Sequence, residues 1–204
     1  MQLAAGLTLT TFVAFCGVAV ALILTPGPDT MYVLARGMQG RATGVRSALG
    51  ISTGVLLHTA AAALGLAALL RAAPTAYRVV KYAGALYLVY LGLTALRDDE
   101  FDPAVQTDAD GSFRRGVLVN ALNPKVALFF LSLLPTFAGS GSGAELRMFL
   151  LGGTYASLTA LYLSGVAVAS GRIGRLLESS RFSSGLSWLG GGVMVALGVG
   201  VAVE

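Results

Sequence analysis

The residues that could do chemistry in this chain lie inside apolar stretches, and two of the three groups are built on proline. The first group is Thr25-Pro26-Gly27-Pro28-Asp29. Pro26 and Pro28 remove two backbone donors and clash with preceding carbonyls, while Gly27 adds backbone freedom. A continuous helix through all three is not expected. Backbone carbonyls freed at membrane depth must be satisfied by neighbouring helices or line a wet cavity. The functional reading is a broken helix whose exposed groups meet the charged ends of a ligand. The structural reading is a packing kink, or a span that ends early with Asp29 capping an interfacial helix.

The second group is Asn120 with Asn123-Pro124-Lys125. Lys125 follows Arg115 by ten residues, about 15 Å along a helix and so near the middle of a span. A charge there is costly and usually faces a partner or a cavity, although a lysine stem can also snorkel to the surface. Asp29 and Lys125 are then an ion pair, or the ligands of an amino group and a carboxylate. The third candidate is His58, whose neighbours Leu56, Leu57 and Ala60 to Ala63 are apolar. Its ordinary pKa near 6.5 suits proton coupling, and a neutral histidine hydrogen-bonded to another helix reads equally well.

The elements that must position these residues are membrane-spanning helices. Of 204 residues, 55% are hydrophobic and 12% charged, about half the charged share of a soluble domain, and the mean hydropathy is +0.77. Long apolar runs alternate with short clusters of arginine, and no strand-like alternation suggests a β-barrel. Six spans are expected, at Leu9–Ala35, Ser47–Leu70, Tyr82–Leu96, Gly116–Phe137, Met148–Ser170 and Gly185–Val203. The apolar N-terminus lacks the basic region of a cleavable signal peptide, so the first span is expected to be retained. An acidic stretch, 97–115, reads as a flexible loop. It divides a single transmembrane domain, 1–204, into halves 1–96 and 116–204. Each half opens on a proline-broken span, the pattern of two inverted three-helix repeats.

Basic residues set the expected orientation. With both termini outside, the inner loops 36–46, 97–115 and 171–182 hold nine Lys and Arg and the outer loops four, as the positive-inside rule requires. The net charge of +4 is therefore read as topological, and no nucleic-acid partner is expected. Cys16 is the only cysteine, which excludes a disulfide framework and argues against a thiol oxidoreductase. It reads as a small packing residue. Gly50 and Gly54 form a small-xxx-small pair that permits close packing, but among 27 glycines such a spacing alone locates no interface. The tyrosines Tyr82, Tyr87 and Tyr90 and the single Trp188 read as interfacial or packing groups.

No zinc-ligand spacing, phosphate-cradling glycine loop or G-x-S-x-G occurs. The chain is expected to be no enzyme, with no cofactor and no metal, and any transport would draw on a gradient. A metal transporter would need clustered His, Asp or Glu within the spans. The remaining alternative is a membrane assembly subunit without transport activity.

In order and spacing, these motifs resemble the LysE/RhtB family of amino-acid exporters along nearly the whole chain. The match runs through Thr25-Pro-Gly-Pro-Asp-Thr-Met-Tyr-Val-Leu-Ala-Arg36, Gly50-Ile-Ser-Thr-Gly54 with His58, and Lys81-Tyr-Ala-Gly-Ala-Leu-Tyr-Leu-Val-Tyr-Leu-Gly92. It continues with Phe113-Arg-Arg-Gly116, Asn120, Asn123-Pro-Lys125, Phe129-Phe130 and Pro135. The resemblance implies six transmembrane helices in a bacterial cytoplasmic membrane and export of amino acids or close derivatives, with protons as the coupling ion. It leaves the substrate and any homo-oligomer open. Position 29 is often Asn in that family, so Asp29 is not expected as an obligatory charge there.

Overall fold

The structure is a computed structural model and describes residues 6–65 and 111–177, with isolated helical positions between 75 and 93 and between 192 and 199. Apart from those positions, the third and sixth spans and the acidic loop up to residue 110 lie outside the described residues, as do Tyr87 and Trp188. The described chain is helical. We number its helices α1 (Leu9–Leu24), α2 (Pro28–Gln39), α3 (Arg41–Ala60), α4 (Ser112–Ala121), α5 (Pro124–Ala138) and α6 (Ala144–Leu177). A π-helical turn, Ala61–Gly65, prolongs α3.

Local chemistry explains the ends. Thr8 accepts from the backbone N–H of Thr11 and caps α1. At the other end Thr25 precedes Pro26 and takes the extended conformation that proline imposes on its predecessor. Gly27 is extended as well, and Pro28 occupies the first position of α2, where its missing N–H is no loss. The same arrangement recurs between α4 and α5. Asn123 is extended, its side chain accepts from the N–H of Lys125, and Pro124 opens α5. Gly139, at φ +67°, closes α5 in the left-handed region. Arg147 then donates to the carbonyls of Ala138, Ser140 and Ser142 and holds the turn into α6.

Among the described residues, two continuous helices are long and apolar enough to cross a bilayer, Arg41–Gly65 and Ala144–Ser170. Two bent pairs each supply a further span when counted as one: α1 with α2, bent by 56°, and α4 with α5, bent by 59°. The protein is an all-α, multi-pass membrane protein. Leucine and valine side chains such as Val13, Leu56, Leu57, Leu118 and Leu161 stand exposed on the outside of the bundle, where hydrocarbon rather than water would meet them.

Several boundaries differ from those read in the sequence. Residues 36–46 form no loop, because α2 passes into α3 at Gly40 and Arg36 lies wholly buried inside α2. Its guanidinium donates to Ser112 Oγ at 2.7 Å and Gln39 Oε1 at 2.9 Å, so this arginine is a packing residue and not a surface flank. The second span begins at Arg41 rather than Ser47. Residues 112–115 belong to α4 and so to the second half, not to the acidic loop, and the fifth span begins at Ala144.

Packing between helices in lipid relies on close van der Waals contact and polar bonds rather than on water exclusion. One apolar cluster joins α1, α3, α5 and α6 through Phe15, Val55, Phe129, Phe130, Leu151 and Tyr155. A second joins α2, α3 and α6 through Val33, Ala48, Ile51 and Leu163. The tightest crossing is that of α3 on α4. A Cβ on Gly50 would strike the Phe113 carbonyl, and one on Gly116 would strike that of Ser47. The small-xxx-small pair thus does mark an interface, which the spacing alone could not locate. Gly116→Ala is expected to cost about 1–3 kcal/mol through overpacking, or about 2–12 °C in melting temperature for a chain of this size. Gly17→Ala, where nothing stands within 4 Å, is expected to leave it unchanged. Thermal unfolding of the purified variants in detergent checks both.

Candidate functional site

The breaks in the two bent pairs come together. Pro26 lacks the N–H that would have bonded to the Leu22 carbonyl four residues back. Lys125, from the start of α5, reaches that carbonyl with Nζ at 3.4 Å and the Thr25 carbonyl at 3.1 Å. Pro124 likewise leaves the Asn120 carbonyl without its helical partner. That oxygen accepts instead from the N–H of Asn123 at 2.9 Å and from His58 Nε2 at 3.0 Å. A carbonyl only accepts, so this contact assigns a proton to Nε2.

Asp29 lies in the first turn of α2, where the positive end of the helix favours a carboxylate. Its Oδ2 accepts from Asn120 Nδ2 at 2.8 Å. Gly54 of α3 makes room for this bond, since a Cβ there would stand 2.8 Å from Asn120 Oδ1. Lys125 lies near enough to Asp29 for electrostatic attraction, yet its hydrogen bonds go to the two carbonyls and not to the carboxylate. The direct ion pair anticipated between them is therefore absent from this arrangement.

The site thus gathers Asp29, His58, Asn120, Asn123 and Lys125 from α2, α3, α4 and α5. Thr25, Pro26, Gly27, Pro28 and Pro124 form the two breaks that aim them. Beside them is a small cavity of about 20 Å³, lined by Asp29 and Lys125 together with Thr30, Tyr155, Thr159 and apolar side chains. That is room for about one water molecule and not for an amino acid in this arrangement. Two buried polar atoms of its lining, Asp29 Oδ1 and Thr159 Oγ1, have no close hydrogen-bond partner; Asn120 Oδ1 and Asn123 Nδ2 have none either, but their residues do not line the cavity and the Asn123 amide lies against the Asp29 carboxylate. Buried polar atoms in a finished structure are nearly always paired, so such a group is suited to a ligand or water. Sequence reasoning missed Thr30, Tyr155 and Thr159. The available signal was the four-residue spacing of Tyr155, Thr159 and Leu163, which places all three on one face of α6. No group of His, Cys, Asp or Glu among the described residues is arranged to hold a metal ion.

An all-α membrane bundle with polar groups gathered at two facing helix breaks has the architecture of a membrane translocator. The comparison with known proteins is more specific: residues 20–204 match the LysE type translocator family, and the chain belongs to it. A membrane protein of Pseudomonas aeruginosa described as uncharacterized is 34% identical over 96% of each chain. The leucine efflux protein of Enterobacter sp. strain 638 is 28% identical over 90% of this chain and 89% of its own. That of Klebsiella pneumoniae is 29% identical over 80% of each. No solved structure matches.

The Asp29–Asn120 bond joins the two halves, and a double-mutant cycle measures it. Asp29→Ala and Asn120→Ala are expected to be non-additive by about 0.5–3 kcal/mol in unfolding free energy. Additive losses would mean that the bond contributes nothing.

Proposed function

We propose that this protein is a gradient-driven exporter of amino acids with an uncharged, apolar side chain, binding its substrate at the meeting of the two helix breaks. The observation that carries the reading is the small cavity between the breaks, lined by Asp29, Lys125 and Thr159, with Asp29 Oδ1 and Thr159 Oγ1 unpartnered. Asp29 Oδ1 is an acceptor for a zwitterion's ammonium and Thr159 Oγ1 a donor for its carboxylate, in a cavity that would widen from room for about one water to admit the substrate. Lys125 adds a positive charge beside the cavity. Leu22, Ile23, Val55, Val126 and Leu163 line the remainder, which favours an aliphatic substrate side chain over a charged one. Membership of a translocator family, and relatives named leucine efflux protein, support the same reading.

The protein would act as a carrier rather than an enzyme, in a bacterial cytoplasmic membrane with both termini outside, as its basic residues favour. Alternating access would follow from rocking of one half against the other around the site. His58, bonded to the Asn120 carbonyl, would couple its side chain to that motion through the hydrogen bond between the halves.

Purified protein in liposomes is expected to move labelled leucine in the direction opposite to the proton flow down an imposed proton gradient. Failure across leucine, isoleucine, valine and methionine, with the protein folded, would overturn the reading. Thr159→Val, which removes a hydroxyl at nearly constant volume, is expected to slow transport about 2–10-fold by loss of one hydrogen bond to substrate. Its melting temperature should stay that of the wild type, because Thr159 Oγ1 has no partner to lose.

A further inference from the structure

The end of α1 is built as a receptor for a cation. Leu22 and Thr25 present carbonyl oxygens to one ammonium, that of Lys125, at the negative end of the helix. The Leu22 oxygen is available because Pro26 has no N–H, and the Thr25 oxygen because α1 has ended. Gly27 keeps the approach open, since a Cβ there would stand 3.0 Å from Lys125 Nζ. Asp29 adds negative charge nearby while its own bond goes to Asn120. The place borders the cavity, which Leu22, Asp29 and Lys125 all line. In carriers with interrupted helices, such carbonyl ends coordinate the coupling cation.

We propose that the C-terminal end of α1 is a monovalent-cation site which this protein fills with its own Lys125 ammonium. The lysine is a tethered ligand of that site rather than a partner of Asp29. The site accepts a donor of N–H bonds, so its external ligand is a small primary ammonium. This inference goes beyond the exporter reading, and its test does not involve transport.

Lys125→Ala deletes three methylenes and the ammonium, which together have the shape of propylammonium. In choline chloride the purified variant is expected to melt about 3–10 °C below the wild type, as two buried carbonyls lose their donor. Added propylammonium is expected to restore the melting temperature saturably. Tetramethylammonium, an equal charge without N–H, is expected to have no effect, and the wild type should respond to neither. Should the variant denature on extraction, the recovery of monodisperse protein extracted with either cation becomes the readout, with the same expectation. A variant as stable as the wild type in choline chloride, no response to propylammonium, or equal responses to both cations would each overturn the proposal.

Discussion

The structure depends on two carbonyl groups that proline deprives of their helical partners. Within lipid such a group has no water to turn to, and leaving it unpaired costs several kcal/mol. Pro26 orphans the Leu22 carbonyl and Pro124 that of Asn120. Each is met by a side chain from the other half: Lys125 for Leu22 and His58 for Asn120. The exchange is reciprocal, and the Leu22 carbonyl depends on it the more, since that of Asn120 also accepts from the N–H of Asn123. This ties the two breaks to one place and explains why the similar bends of 56° and 59° face each other rather than standing apart in the bundle.

Helix ends also decide where the charges of Asp29 and Lys125 go. Asp29 sits in the first turn of its own helix, where the exposed N–H groups favour it. Lys125 sits in the first turn of α5, the wrong end for a cation, with the stem length to reach the favourable end of α1. Each charge is thus held by a helix terminus, and Asn120 occupies the carboxylate that an ion pair would otherwise have claimed. A buried ion pair makes heavy demands on geometry to offset desolvation. Distributing the charges over carbonyls and an amide leaves Asp29 Oδ1 unpartnered beside the cavity.

Much of this was legible before the fold was known. Proline chemistry is local, so Thr25 to Asp29 and Asn123 to Lys125 announced breaks, whereas the ten-residue interval from Arg115 to Lys125 is no straight helix, because it crosses the 59° bend between α4 and α5. Hydropathy located the first, second, fourth and fifth spans for a similar reason, since the bilayer imposes one length on all of them. What failed was non-local. Arg36 looked like a flank because arginines outside spans usually are, and only the proximity of Ser112, 76 residues away, shows it to be buried. The worth of Gly50 and Gly54 depends on which helix lies opposite. Thr159 is an ordinary threonine in an apolar helix until the fold sets it against Asp29 and Lys125. Their preference for an ion pair was a reasonable default, overridden by carbonyls that no sequence pattern displays.

The bonds between the halves bear directly on how a carrier of this build would move. Asp29 to Asn120, His58 to the Asn120 carbonyl and Lys125 to the Leu22 and Thr25 carbonyls gather at the breaks. Tyr32 and Arg36 bond to Ser112 where α2 ends and α4 begins. Apolar helix packing slides with little directional penalty, whereas hydrogen bonds are made or lost within about an ångström. Rocking of the halves would therefore be governed by these few polar contacts. The Ser112 contacts lie two to three helical turns from the breaks, so they can be exchanged while the central set stays whole. A substrate that offered its own ammonium and carboxylate there would change the balance directly. On that view the breaks would serve as fulcrum and recognition site at once, because they set the unpartnered side-chain atoms Asp29 Oδ1 and Thr159 Oγ1 beside the polar contacts that hold the halves together.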